Sequence, residues 1–138
     1  MSSKIKQNKL QNPCTNCFSP QYLKINFLYM EDIKNVEKNY KLQFLDRLLF
    51  LSSSNYMNII QYGKEIGFEL EPINEIKLTK DIPKKFSDRF SSDKYNNKIA
   101  IARLYTNNNP IVGRIIGVII KNIFYIFFLD IGGKLYKH

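Results

Sequence analysis

The sequence predicts an α+β fold in which a small antiparallel sheet of three or four strands packs against a helical hairpin. The strongest observation is a pair of β-branched and aromatic runs, 111–120 and 123–130, separated only by Lys121-Asn122. Such a polar two-residue break predicts a β-hairpin, which we place at the centre of the sheet. The second observation is helical spacing of the apolar residues in 40–51. Strands and helices are therefore grouped along the chain and do not alternate.

The first half of the chain supplies one strand and the helical hairpin. Residues 22–29 alternate between apolar and polar side chains, as a strand does. The helix over 40–51 ends at a Ser-rich break, and a second helix over 56–65 ends near Gly67. Residues 1–20 contain two prolines and mostly polar residues, with little apolar content. We therefore expect a flexible basic arm before a single domain over 21–138.

The second half of the chain supplies short elements and then the remaining strands. Residues 68–71 and 73–78 are predicted to be short extended pieces, and a brief helix is predicted from Pro83 to Phe90. Residues 98–105 alternate cleanly, which predicts a strand, and the turn-forming residues 106–110 connect it to the hairpin.

The hairpin loop fixes a register that gathers polar residues at the open end. A loop at Lys121-Asn122 predicts the pairs Ile120–Ile123, Val118–Tyr125 and Arg114–Leu129. Arg114 then lies close to the end of the second strand and the residues that follow it. The polar residues expected there are Arg114, Asp130, Lys134, Tyr136 and His138.

Both faces of the predicted hairpin are apolar. One face carries Ile115, Ile119, Phe124 and Phe128, and the other carries Ile116, Val118, Ile120 and Phe127. A sheet with one face in water would show polar alternation instead. Two good helices can cover only one face, so the pattern predicts that a protein partner, or self-association, covers the other.

The charge distribution favours an anionic partner. The 138-residue chain has a formal charge of +9, and residues 76–138 hold twelve basic and four acidic residues. Lys, Ile and Asn make up 51 of the 138 residues, a bias typical of AT-rich codons, so the lysines are weak evidence of binding. The arginines at 47, 89, 103 and 114 are stronger evidence, because guanidinium groups suit forked phosphate contacts.

The apolar stretch 111–131 does not predict a membrane span. Lys121 would lie at its centre, at a cost of about 2.5–3.5 kcal/mol. The N-terminus lacks the apolar run of a signal peptide, so we expect no membrane association and a cytoplasmic protein.

No cofactor is expected from the residue pattern. Cys14 and Cys17 form a lone C-x-x-C, whereas a structural zinc site needs four ligands. Two incidental thiols are the simplest interpretation, with intermolecular zinc or a disulfide as alternatives. The sequence shows no Gly-rich phosphate loop, carboxylate pair or metal-ligand constellation.

The segment 98–138 resembles the C-terminal half of the RelE/ParE superfamily, the toxins of bacterial toxin–antitoxin modules. The shared outline is a strand, a turn, a strand that opens with Gly-Arg114, a short turn and an apolar strand. It closes on a glycine turn and a basic residue shortly before a tyrosine, here Gly132-Gly-Lys134-Leu-Tyr136.

This resemblance implies a metal-independent ribonuclease that cuts mRNA and is neutralised by a partner protein. Cleavage needs a base for the 2′-OH proton, a cation near the developing phosphorane charge and an acid for the leaving oxygen. By resemblance Arg114 would stabilise the phosphate, and Tyr136 would stack on a base or transfer a proton. Lys134 and His138 would be acid–base partners, and Arg103 would bind the RNA backbone.

Each candidate also has a structural interpretation. Arg114 can pair with Asp130, Tyr136 can be an aromatic at the edge of the core, and His138 is the last residue. A second candidate RNA-binding group, Lys84, Lys85 and Arg89, can equally be a solvated helix face. Two other functions therefore stay open: a non-catalytic RNA-binding or ribosome-binding protein, and a phage-related or defence-related inhibitor that binds another protein.

Overall fold

The computed structural model describes residues 21–73, 77–91 and 98–137, with Lys77, Tyr136 and Lys137 described through their backbone alone. The Cys14 and Cys17 pair, the basic arm over 1–20 and His138 lie outside the described residues. The elements, in chain order, are β1 (Lys24–Asn26), α1 (Lys38–Ser52), α2 (Tyr56–Gln61), α3 (Gly63–Ile66), β2 (Phe68–Pro72), β3 (Lys77–Leu78), α4 (Lys84–Arg89), β4 (Lys98–Arg103), β5 (Gly113–Ile120), β6 (Ile123–Ile131) and β7 (Tyr136–Lys137).

The main sheet has five strands in the order β1-β6-β5-β4-β2. The α+β class and the interior position of the C-terminal hairpin, β5 and β6, are confirmed. The expected count of three or four strands was too low, because the short extended piece over 68–71 is a full edge strand, β2, paired with β4. The expectation of an antiparallel sheet holds except at β1, which joins the β6 edge in parallel. Parallel pairing joins segments far apart in the chain, so a count of sequential hairpins does not reveal it. A separate ribbon pairs β3 with β7.

The hairpin loop adopts the conformation that its two residues predict. Lys121 and Asn122 have φ angles of 51° and 68°, as a tight two-residue turn between twisted strands requires. Ile120 faces Ile123 across the turn, so the register predicted at this end of the hairpin is confirmed.

A β-bulge shifts the register halfway along the hairpin. Ile116 lies opposite Phe128, but the next residue, Gly117, lies opposite Ile126. Phe127 is therefore an extra residue in β6 with no partner in β5, which is the defining feature of a bulge.

Gly117 allows the two backbones to approach at this bulge. A Cβ atom at this position would lie 2.0 Å from the carbonyl oxygen of Tyr125 and 2.8 Å from the Phe124 ring. Only glycine fits such an approach without displacing the backbone.

The bulge corrects two expectations about the hairpin. Arg114 faces Asp130 and not Leu129, because one residue of β6 has been skipped. Phe128 lies on the same side as Ile116 and Phe127, and not with Ile115. An extra residue reverses the side to which every later side chain of the strand points.

Both faces of the sheet are covered by the described chain itself. On the first face α1 and α2 bury Phe44, Leu48, Leu51 and Ile59 against the strands. On the second face Phe86 of α4 packs its ring against Tyr29, Phe90, Tyr125 and Phe127, with centroid distances of 4.7–5.6 Å. The expectation that a partner must cover one sheet face is therefore wrong, because the short helix α4 provides a large aromatic cover.

The apolar stretch that could have suggested a membrane span forms β5 and β6. Among the described residues, no helix combines the length and the apolar character needed to cross a bilayer.

A buried arginine fastens α1 to the sheet. Arg47 is 7% exposed, and its Nε and Nη2 atoms donate to the carbonyl oxygens of Arg103 (2.9 Å) and Ile66 (2.7 Å). Burial lowers the pKa of Arg47. Its guanidinium also stacks on Phe50, at 5.1 Å from the ring centroid. The charge is solvated by backbone carbonyls at the ends of β4 and α3, so it ties three elements together.

Replacing Arg47 with Met should destabilise the protein by about 2–4 kcal/mol, since two buried carbonyl oxygens would lose their donors. Urea unfolding followed by circular dichroism measures this free energy. The exposed Lys64→Met serves as the control and should stay within about 0.5 kcal/mol of the wild type. Equal effects of the two substitutions would show that Arg47 does not fasten α1.

Candidate functional site

Three charged residues form a row across the open end of the hairpin. Arg103 of β4 lies opposite Arg114 of β5, and Arg114 lies opposite Asp130 of β6. Residues directly opposite each other on antiparallel strands project to the same face, with Cβ atoms about 4.5–5.5 Å apart. We call Arg103, Arg114 and the neighbouring Lys134 the cationic row.

The cationic row lies on the face covered by α4. Ile101 and Ile116, which belong to the second core, precede Arg103 and follow Arg114 by two residues on their strands. Side chains two residues apart on a strand share a face. The row therefore continues the aromatic core of that face to its polar end.

Arg103 has specific contacts that hold its guanidinium. Its Nη1 atom donates to the carbonyl oxygen of Thr106 at 2.9 Å, and its Nη2 atom lies 4.0 Å from Oε2 of Glu69. The side chains of this ion pair are 37% and 29% exposed, so the pair is accessible to solvent and contributes little to stability.

Asp130 organises the turn that carries Lys134. The residue is 3% exposed, its Oδ1 atom accepts the Lys134 N–H at 2.8 Å, and its Oδ2 atom accepts the Leu135 N–H at 3.0 Å. One buried carboxylate thus fixes the backbone immediately after β6. Lys134 itself is exposed.

The same turn packs directly against Arg114. Gly133 has a φ of 67°, and a Cβ atom there would lie 2.8 Å from both Nη1 of Arg114 and Cγ1 of Val112. A side chain at this position would displace the guanidinium. Glycine therefore allows the turn to lie directly against Arg114.

The structure places the other predicted catalytic residues only in part. The backbone of Tyr136 pairs with Leu78 in the ribbon of β3 and β7. The Thr79 N–H donates to the Leu135 carbonyl at 3.0 Å and continues this pairing. The chain therefore turns away from β6 after Lys134, whereas His138 lies outside the described residues.

The second predicted RNA-binding group, Lys84, Lys85 and Arg89, lies on the exposed side of α4. Lys84 pairs with Asp88 at 3.0 Å, and Arg89 donates to the Tyr29 hydroxyl at 2.9 Å. That hydrogen bond raises the pKa of Arg89. These contacts are made with residues outside the cationic row. The group is therefore a separate set of charges on the same side of the sheet.

Asp130 was expected in this polar group, but its role in holding the turn was not predicted. Its position four residues before Lys134 was the available signal for such capping. Lys80 was not among the predicted site residues. Lys80 pairs with Glu31 at 2.6 Å and lies 5.6 Å from the centroid of the Phe128 ring. The sequence contains no signal for Lys80, because its partners are brought to it by the folding of distant segments.

Neighbouring cations are suited to binding phosphate. Among the described residues, no group of three or more His, Cys, Asp or Glu side chains could hold a metal ion. Both oxygens of Asp130, the carboxylate beside this row, already accept backbone N–H groups. The chemistry that the two arginines offer is therefore charge stabilisation, and any proton transfer would involve Lys134 or residues of the C-terminal segment.

Comparison of the chain with protein-family models, with characterised proteins and with solved structures found no match. The resemblance to the RelE/ParE superfamily therefore stays a prediction, and the site is interpreted from its geometry.

Replacing Asp130 with Asn should cost about 1–3 kcal/mol of folding free energy, because an amide cannot accept both backbone N–H groups. The measurement is urea unfolding monitored by circular dichroism. The matched control is Asp88→Asn on the exposed side of α4, which should change the free energy by less than about 0.5 kcal/mol. An unchanged midpoint for Asp130→Asn would contradict the role of this carboxylate in holding the turn.

Proposed function

We propose that the cationic row binds the phosphate backbone of RNA, and that the protein acts there as a toxin-like, metal-independent ribonuclease on mRNA. The observation that carries the first part is the direct opposition of Arg103 and Arg114 on adjacent strands. The cleavage step and control by an antitoxin-like partner protein rest on the resemblance to RelE/ParE toxins.

The opposition of two arginines supports an anionic ligand. Guanidinium groups on adjacent strands can both donate charge-assisted hydrogen bonds to one phosphate group. Both residues are partly exposed and belong to strands whose central positions are packed into the core, so the donors are held on a rigid base.

Cleavage would use Arg114 at the scissile phosphate. The 2′-oxygen of the ribose would attack phosphorus, the bond to the 5′-oxygen would break, and the Arg114 guanidinium would stabilise the charge that develops on the phosphorane oxygens. Lys134, Tyr136 and His138 are the proposed groups for removing the 2′-OH proton and protonating the leaving oxygen.

RNA binding without cleavage is the second candidate. It needs only the cations of the row, and it leaves Asp130 as the acceptor of the backbone N–H groups in the turn. A non-catalytic protein of this kind would bind RNA, for example on the ribosome, through the same arginines.

Induced expression in a bacterium tests the proposal. Wild-type protein should arrest growth and create discrete new 5′ ends in mRNA. Arg114→Ala should abolish both effects, and Arg114→Lys should weaken them because the forked contact is lost while the charge remains. Tyr136→Phe should reduce cleavage if the hydroxyl transfers a proton. Lys98→Ala, which removes an exposed cation at the other end of β4, is the matched control and should retain full activity.

Purified protein separates the two candidates. Binding of a single-stranded RNA that weakens with salt, with a slope reduced by about 0.7 in Arg114→Ala, would show a phosphate contact. Such binding with harmless expression and intact mRNA would support the non-catalytic candidate. No RNA binding at low salt would overturn the proposal in both forms and leave a protein-binding inhibitor as the function to test.

A further inference from the structure

Helix α1 is apolar on its outward face and also on its inward face. Leu42, Leu45 and Leu49 are 54%, 52% and 58% exposed, whereas the inward-facing Phe44 and Leu48 are buried. A helix that is apolar on two opposite sides is typical of one that is enclosed by other elements. Within the described part of the chain, nothing encloses the outward side of α1.

The exposed leucines have the spacing of a coiled-coil seam. Positions 42, 45 and 49 are separated by three and four residues, which is the a–d–a pattern of a heptad repeat. The preceding and following d positions are Lys38 and Ser52, so the seam is confined to the middle of the helix. With 15 residues at about 1.5 Å each, α1 is long enough to present all three leucines to another helix.

Charged residues on either side of this seam indicate the orientation of the partner. Lys41 occupies the g position before Leu42, and Asp46 occupies the e position after Leu45. In a parallel pair of helices the g residue of one chain faces the e residue of the next heptad on the other chain. Lys41 of each copy would then face Asp46 of the other copy, which gives two ion pairs. An antiparallel pair would bring the two Asp46 side chains towards each other.

We infer that this protein forms a parallel, two-fold symmetric dimer through the outward face of α1. The interface consists of Leu42, Leu45 and Leu49, flanked by the Lys41–Asp46 pairs. Asp46 is exposed, and Lys41 is partly exposed and donates to the Lys34 carbonyl at 3.2 Å, so both are within reach of a second copy.

The adjoining surface enlarges the contact. Phe50 and Tyr62 are 41% and 47% exposed, and both line a depression of about 460 Å³ beside the C-terminal end of α1. They add exposed apolar side chains near one end of the helix that carries the leucines, and clustered exposed apolar groups mark interaction sites. This inference is independent of RNA binding, because the cationic row lies on the opposite side of the sheet from α1.

Sedimentation equilibrium of the full chain at increasing concentration tests the dimer. Wild-type protein should be dimeric, and Leu45→Glu should be monomeric with an unchanged circular dichroism spectrum, since the side chain is exposed. Met57→Gln is the matched control: it removes an apolar side chain on α2 that is 67% exposed but lies outside the seam, and it should leave the dimer intact.

Charge reversal tests the parallel arrangement. Lys41→Glu and Asp46→Lys should each raise the dissociation constant roughly ten-fold, because two attractive pairs become repulsive. The double variant should restore wild-type affinity. A monomer at every concentration would overturn the inference. A dimer that is strengthened by Asp46→Lys alone, or is indifferent to both reversals, would overturn the parallel pairing.

Discussion

The pairing of β5 with β6 is the constraint on which the other features of this molecule depend. These two strands are packed on both faces, so successive side chains must alternate between the two cores. The bulge at Phe127 shifts this alternation in β6 once, halfway along the hairpin. It is possible only because Gly117 lets the two backbones come close. Everything beyond the bulge, including the position of Arg114, follows from this one extra residue.

The two buried charges perform related tasks at different places. Arg47 donates to carbonyl groups where α1 meets the ends of β4 and α3, and Asp130 accepts N–H groups where the chain leaves β6. Each satisfies backbone groups that a strand or helix leaves unpaired at its end. The exposed arginines differ, because Arg103 and Arg114 lie beside each other on the surface. Their guanidinium groups are partly exposed and adjacent on neighbouring strands, and this arrangement is the basis of the proposed phosphate site.

Local patterns predicted most of the fold, and long-range geometry explains the errors. The Lys121-Asn122 turn, the helix over 40–51 and the helix after Pro83 all depend on neighbouring residues, and the structure contains each of them. The helix predicted over 56–65 is present as α2 and α3, which are separated at Tyr62. The parallel pairing of β1 and the cover provided by Phe86 depend on segments far apart in the chain. Local sequence patterns do not show which distant segments meet. The sequence predicted Arg114 near the residues that follow β6, and Gly133 of that turn packs against it. The bulge, however, changed the partner of Arg114 from Leu129 to Asp130.

Interstrand nuclear Overhauser contacts of Arg114 in solution test this account most directly. If the bulge is present, the backbone protons of Arg114 have their strongest interstrand contact with Asp130, while Val118 contacts Tyr125 on the other side of the bulge. A regular hairpin would instead bring Arg114 opposite Leu129 with the same pairing at Val118. The second result would contradict the role of the bulge, because Asp130 and the turn that it holds, which carries Lys134, would then be displaced from Arg114.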